Sequence, residues 1–360
     1  MDRRRAAREQ PLEHRILLTA TLCLLAAGAV MVYSASSART LLEGQGDGSY
    51  YLVKYLLYGA AGFVVMQVVA RVDLRAVRDL TPALLGISFV LLLAAKLPGV
   101  GVEVNGATRW IGAGPLQFQP SELMKLALVL YAVRLLTDKP QLVLSLRTLV
   151  SPLGWVVGAA LLLIVSQPDL GTALVVTFTT VAILVAAGMP VKLLVRIAGA
   201  GVLVVGLLAL AEPYRRDRLI AFLDPWAHAE SIGFQSVQGQ IAIGSGGLLG
   251  RGLGESVQKI FFLPEAHTDF ILAVIGEELG VLGIWALLFL YGLIAYAGLR
   301  AAKAAKTAYA KLLAAGVTSM ILCQALLNLF TVLGMAPLTG VPLPFISSGS
   351  SSLLTLLAAM

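Results

Sequence analysis

KIFFLPEAHTDFILAVIGEELGVLGIWALLFLYGLIAYAGLR, residues 259–300, decides the fold class. From Phe270 the chain is apolar almost without interruption to Gly298, longer than the 18 or so residues that mark a membrane-crossing helix. Yet Glu277 and Glu278 lie near the start of that run, and Glu265, His267 and Asp269 stand just before it. A carboxylate near hydrocarbon is costly unless it is paired, hydrated or useful, so this stretch is the first candidate for chemistry.

The rest of the chain agrees with a membrane setting. Of 360 residues 58% are hydrophobic and only 13% charged, and the mean hydropathy is +0.86, far outside the range of soluble domains. Apolar runs at 16–36, 52–70, 80–97, 120–136, 149–166, 171–188, 191–211, 270–299, 312–335 and 351–360 predict an all-α integral membrane protein of ten transmembrane helices. Barrel strands would alternate every second residue, and no strand reading survives. Residues 1–15 form a basic leader, and 16–360 a single polytopic domain, with a long outer loop, 212–269, between spans 7 and 8. The first run is too long for a cleaved signal core. The last, SSLLTLLAAM, offers half a crossing and reads as truncated.

With the N-terminus inside, Arg71, Arg75, Arg78, Arg134, Lys139, Arg147, Lys192, Arg196, Arg300, Lys303, Lys306 and Lys311 join the leader on the cytoplasmic side. Both termini are then cytoplasmic. The net charge of +7 reports this orientation and predicts no nucleic-acid partner. Cys23 and Cys323 sit in apolar runs and supply neither a disulfide framework nor metal spacing. The same topology sends 98–119, 167–170, 212–269 and 336–350 to the outer face. Apolar residues at helical spacing in 212–269 predict ordered, membrane-hugging helices there.

Each outer cluster has a structural and a functional reading. In VNGATRWIGAGPLQFQPSELMKLAL, residues 104–128, Pro120 begins a helix preceded by Gln119, and Ser121, Glu122 and Lys125 share a face. That is a capped helix with a local ion pair, or, with Arg109, an anion site of two cations and a helix start. Asp169 in SQPDLGT, residues 166–172, caps the next helix, or pairs with Arg109 or Lys125, or helps hold a cation. Asp269 caps the helix after it or stands as a water-reachable base; His267 is a hydrogen-bonded helix-start residue or a site residue. Glu277 and Glu278 suit buried structural pairing, with Lys125 as one partner. GSGGLLGRGLG, residues 244–254, lacks the Lys-Ser/Thr ending of a phosphate-binding loop and follows no strand, which leaves close helix approach or loop geometry. MAPLTGVPLPFISSGSSS, residues 335–352, predicts a re-entrant wall of the same site.

Taken together, LPEAHTDFILAVIGEELG (263–280), NGATRWI (105–111) with QPSELMKL (119–126), QPDLGT (167–172), AFLDPW (221–226), IAIGSGGLLGRGLG (241–254) and GVPLPFISSGSSSL (340–353) resemble the SEDS family (shape, elongation, division, sporulation). The resemblance runs from about Gly28 to the end and is closer to the division and sporulation members than to the elongation members. The terminal wall departs from the family, with PFISSGSSS where a Tyr-Gly-Gly run is commoner. The resemblance implies a peptidoglycan glycosyltransferase that polymerises lipid II on the outer face of the bacterial cytoplasmic membrane. It also implies a class B penicillin-binding protein transpeptidase and other divisome membrane proteins as partners. Carried over by motif, Asp269 is the catalytic base, and Arg109 and Lys125 contact the lipid pyrophosphate. Gln119, Ser121, Glu122, Asp169, Glu265 and His267 surround substrate, and Glu277 and Glu278 are structural. A divalent cation, Mg or Mn, is compatible with this chemistry but has no ligand spacing in the sequence. A lipid II flippase and a non-catalytic divisome scaffold are the alternatives.

Overall fold

The computed structural model describes residues 11–42, 48–104, 106–113, 116–211 and 213–360. Its helices are α1 (Leu12–Leu42), α2 (Tyr50–Val69), α3 (Leu74–Ala94), α4 (Pro120–Asp138), α5 (Leu146–Val165, with a π turn at Val150–Gly154), α6 (Leu170–Ala186), α7 (Val191–Ala211), α8 (Pro213–Leu223), α9 (Phe234–Gly246), α10 (Gln258–Phe261), α11 (Ile271–Ala304), α12 (Ala308–Val332) and α13 (Ser350–Ala359). All ten apolar runs fall on helices. Among the described residues six helices, α1, α2, α3, α5, α11 and α12, are long and apolar enough to cross a membrane, and α6 and α13 are shorter apolar helices. The chain is therefore a helical, multi-pass membrane-type protein. Within 212–269 the sequence also folds as helices, α8, α9 and the short α10, and leaves Leu223, Trp226, Leu248 and Leu249 exposed.

One expectation fails locally. Segment 101–118 forms a three-stranded antiparallel sheet, β1 (Gly101–Val104), β2 (Ala107–Ala113) and β3 (Leu116–Phe118), in the order β1-β2-β3. The signal was present: Asn-Gly at 105–106 between two stretches rich in Val, Thr, Trp and Ile is a strong hairpin pattern, and Gly106 has a φ of 75°. The hydropathy that dominates this chain hid a short polar hairpin.

The caps follow ordinary rules. Asp73, Asp169 and Thr307 each accept a backbone N–H at the start of α3, α6 and α12, and Pro120 opens α4, where a missing N–H costs nothing. In the core, α11 packs against α1, α9 and α12, and α12 against α4 and α6.

The helix that decides the fold is interrupted. At Gly280 α11 adopts φ 67°, ψ −163°, and the loop after α9 enters the break. The Glu277 and Glu278 carbonyls accept from Arg251 and Gly252 N–H, each at 3.0 Å, while Val281 and Leu282 N–H donate to the Gly247 and Leu248 carbonyls at 3.0 and 3.3 Å. Two helical bonds are opened, and both pairs of freed groups are satisfied by one loop, as a buried backbone requires. Such an approach leaves no room for side chains: a Cβ at Gly250 would lie 2.1 Å from the Glu278 carbonyl oxygen, and one at Gly246 2.0 Å from that of Gly276. The glycine-rich stretch is a helix splice.

The two glutamates beside the break are buried and paired, but not with Lys125. Glu278 receives Lys259 Nζ at 2.7 Å and Ser34 Oγ at 2.7 Å. Glu277 accepts from Ser256 Oγ, from Val257 and Gln258 N–H, and from Arg251. Removing one member of a buried pair strands the other charge, at a cost of roughly 3–5 kcal/mol. Lys259→Met should therefore lower the thermal unfolding temperature of the detergent-solubilised protein, and Lys259→Met/Glu278→Leu should recover most of the loss. A double variant no more stable than the single one would refute the pairing as the cause. Gly280→Ala should be at least as damaging, because its Cβ would meet Gly250 N at 2.4 Å.

Candidate active site

Four segments that the sequence sends to one face do meet. Gln119 at the end of the sheet segment donates from Nε2 to Asp169 Oδ2 at 2.9 Å, and its N–H donates to Ser351 Oγ at 2.9 Å. Arg218 of α8 donates to the Leu338 carbonyl at 2.8 Å. Ser348 N–H donates to the His267 carbonyl at 3.0 Å.

Residues 336–349 form the non-helical wall that the prolines predict, and its backbone is satisfied by side chains. The carbonyls of Pro337, Leu338, Val341, Pro342, Pro344 and Phe345 accept from Thr331, Arg218, Asn328, Gln324, Tyr291 and Tyr55. Irregular backbone at membrane depth survives only with such partners. The wall is then stitched to the start of α11: Asn328 Nδ2 also donates to the Asp269 carbonyl at 2.8 Å, and Ser347 Oγ to the Thr268 carbonyl at 2.6 Å.

Asp269 projects into this enclosure, its Oδ2 facing Gly340, where a Cβ would come within 3.2 Å. Although the residue keeps some solvent exposure, desolvation pushes its carboxyl up to about 7. Glu265 raises it further, Arg109 and Arg218 oppose that, and Asp169 adds a smaller upward push. Both arginines therefore act on the same enclosure. Among the described residues Arg109 Nε is buried without a hydrogen-bond partner, an uncommon state for a guanidinium and one that an anionic ligand would relieve. Glu265, with a φ of 54°, holds a left-handed turn unusual for its type and accepts Thr268 Oγ1 at 2.9 Å.

The other sequence candidates fall around this centre. Asp169 caps α6 through Thr172 N–H at 3.1 Å and receives Ser121 Oγ at 3.0 Å, so it joins α4 to α6. Lys125 is buried, in an ion pair with Glu122 at 2.9 Å and donating to Gln324 at 2.7 Å. It lies beneath the wall that Gln324 supports. His267 stacks on Tyr51 with ring centroids 4.1 Å apart. Sequence reading missed Arg218 and Asn328. Arg218 sits among several arginines of a polar loop, and Asn328 inside an apolar helix, where a lone polar residue signals a buried partner. Among the described residues no three metal-ligating side chains converge, so a cation cage made by protein alone does not fit. Asp269 and Glu265 would be the protein's seats for Mg or Mn beside a substrate phosphate.

The FtsW/RodA/SpoVE cell cycle protein family model matches residues 15–360. This chain belongs to that family. It is 39% identical over 346 residues to stage V sporulation protein E of Bacillus subtilis, covering 96% of this chain and 94% of that protein. It is equally identical to a probable peptidoglycan glycosyltransferase FtsW of Geobacter sulfurreducens, covering 96% and 92%. Among solved structures it is similar to one from a peptidoglycan synthase complex that coordinates polymerization and crosslinking, with a TM-score of 0.79, 30% identity and coverage of 95% and 94%. The Thermus thermophilus rod shape determining protein RodA matches with a TM-score of 0.68 at 30% identity, covering 95% and 92%. The resemblance read from the motifs is thus to the right family.

Because Asn328 holds two carbonyls, Asn328→Leu should cost roughly 1–3 kcal/mol by leaving buried acceptors unmet. The wall should also loosen, seen as faster proteolysis or amide exchange across 336–349. Unchanged protection there would show that Asn328 does not fasten the wall.

Proposed function

We propose that this protein is a peptidoglycan glycosyltransferase that polymerises lipid II at the outer face of the bacterial cytoplasmic membrane during cell division. In this reading ten crossings place both termini in the cytoplasm and the enclosure outside. It works with a class B penicillin-binding protein transpeptidase and other divisome membrane proteins. The relatives named as glycosyltransferases and the synthase complex among its structural neighbours support this reading. The observation that carries it is the electrostatic setting of Asp269: one desolvated carboxylate, between ionised and neutral near pH 7, facing two arginines.

Chain growth needs a base for the acceptor sugar hydroxyl and positive charge for the departing pyrophosphate. As the hydroxyl oxygen forms its bond to the donor's anomeric carbon, the bond from that carbon to the pyrophosphate breaks and the configuration inverts. The hydroxyl proton passes to Asp269. The charge that develops on the pyrophosphate is met by Arg109, with Arg218 on the opposite wall. Lys125, held by Glu122 and Gln324, acts from beneath, fixing the start of α4 and the wall rather than reaching the reacting atoms. Gln119, Ser121, Glu122 and Asp169 position that helix start, and Glu265 and His267 shape the substrate's surroundings. No step depends on a divalent cation.

The test is polymerisation of purified lipid II by the reconstituted protein with its transpeptidase partner. Asp269→Asn should lose at least about 100-fold in rate, the scale of a general base. If wild type makes no chains while lipid II crosses the bilayer of vesicles, the protein is a flippase and the reading fails.

The pH dependence is independent of the loss itself. A base works ionised, so the rate should rise with pH through about 7 and level off above it. Glu265 raises the Asp269 pKa, so Glu265→Gln should move the rising limb to lower pH. Arg218 lowers it, so Arg218→Ala should move the limb higher. A limb that stays in place in both variants would remove Asp269 as the titrating group.

A further inference from the structure

Between α9 and the break in α11 the chain folds back on itself. Ser256 Oγ and the Val257 and Gln258 N–H groups donate to the carboxylate of Glu277, and Lys259 donates to that of Glu278, so four consecutive residues are fastened to two. The Lys259–Glu278 bond joins positions 19 apart, and the loop it closes contains Glu265, His267 and Asp269.

Lys259 is the centre of this fastening. Its ammonium has three protons and meets three acceptors: Glu278 Oε1 at 2.7 Å on α11, the Gly254 carbonyl at 2.7 Å on the glycine-rich loop and Ser34 Oγ at 3.0 Å on α1. Ser34 in turn donates to Glu278 at 2.7 Å. The Lys259 side chain is only 4% exposed and that of Glu278 fully buried. A lysine with every donor engaged and almost no exposed surface has nothing left for a substrate, so its part in any chemistry runs through other residues.

The route to Asp269 is short. Leu263 N–H donates to the Gln258 carbonyl at 2.9 Å, Gln235 Nε2 to that of Pro264 at 3.3 Å, and Thr268 and Phe270 N–H to that of Glu265 at 3.1 and 3.4 Å. Leu263, Ala266 and Phe270 are buried, and Phe270 lies against Gly239 of α9, where a Cβ would come within 2.8 Å of the aromatic ring. From the other end, Ile271 to Glu278 is continuously buried helix. A displacement at Lys259 or Glu278 is thus passed to Asp269 through bonded and packed chain.

Stability alone does not account for an ion pair here. Exchanging a buried pair for apolar side chains of similar volume is often neutral or stabilising. Apolar contact is non-directional, whereas charge-assisted bonds to three elements fix one geometry. We infer that Lys259, with Glu278 and Ser34, is a positioning residue for Asp269, setting where that carboxylate stands without touching substrate. The inference rests on the reading of Asp269 as the base.

The main test variant is Lys259→Met/Glu278→Leu, which keeps the volume and most of the stability but gives up the directional bonds. Against lipid II its kcat should fall at least about tenfold with KM within about twofold, since a misplaced base is felt in the transition state and a shift of about 1 Å can cost about 100-fold. Lys259→Arg, which retains the charge and several donors, should recover most of the rate. Ser34→Ala removes only the α1 leg and should lower kcat in the same direction; it carries the test if the double variant does not fold. Wild-type kcat in a double variant of wild-type melting temperature overturns the inference, as does a rate loss carried by KM. Amide exchange at Thr268 and Phe270 reads the same fastening without turnover: both should exchange faster in the double variant, and unchanged protection there overturns the inference. If wild type makes no chains while exchange quickens as described, the polymerase reading fails and the hold of Lys259 on the Asp269 turn stands.

Discussion

Backbone groups inside an apolar bundle must find partners, and this chain breaks its regular backbone where its charges gather. A continuous helix would satisfy every N–H and C=O by itself. At Gly280 and along 336–349 the chain gives up that arrangement and supplies substitutes, a loop backbone in the first case and six side chains in the second. The two repairs bracket the short first part of α11, Ile271–Leu279. One end is spliced to the glycine-rich loop, and the other is tied to the wall through Asn328 and Ser347. Asp269 stands at the tied end. Its position is set from both directions by hydrogen bonds that cannot be exchanged for water without cost, which is how a carboxylate is kept in a fixed, desolvated place.

That placement governs its charge. Burial alone would hold a carboxylate neutral, and arginines alone would hold it ionised. Here desolvation and Glu265 push upward while Arg109 and Arg218 push downward, and the outcome falls near neutrality. A group poised there accepts a proton without being permanently charged or permanently protonated, the condition under which a general base is effective near pH 7. The pairing of Glu277 and Glu278 with Arg251 and Lys259 has a complementary consequence: the two acids nearest in sequence along α11 are already matched and bring no unpaired negative charge to the enclosure.

How much of this was readable in the sequence depended on the range of the interaction. Apolar runs are a local property, so all ten emerged as helices, and caps such as Asp169 were readable from one residue and its neighbours. The acids at 277 and 278 were legible as buried structural groups, but their partners were not, because Ser34 lies 244 residues from Glu278 and spacing along a helix says nothing about it. Lys125 was legible as the partner of Glu122, three residues away, while its bond to Gln324 crosses 199 positions. The sheet at 101–118 was missed for another reason: a three-stranded unit of polar character is invisible to a hydropathy reading tuned to twenty-residue runs, even though Asn105 and Gly106 announce its turn. The glycine-rich loop was rightly denied a nucleotide, yet its use as a splice required knowing that α11 opens at Gly280.

The sheet has a role that no single helix in the bundle fills. A helix distributes successive side chains around its axis every 100° or so, so neighbouring residues share broadly overlapping surroundings. A strand sends them to opposite sides. β2 breaks that alternation at Arg109: Val102 pairs with Trp110 and Glu103 with Thr108, so the guanidinium stands at a bulge that no β1 residue opposes, a device that re-aims a side chain. A short sheet inserted among apolar helices aims that guanidinium with few residues, which is a physical reason for a protein of this composition to carry one.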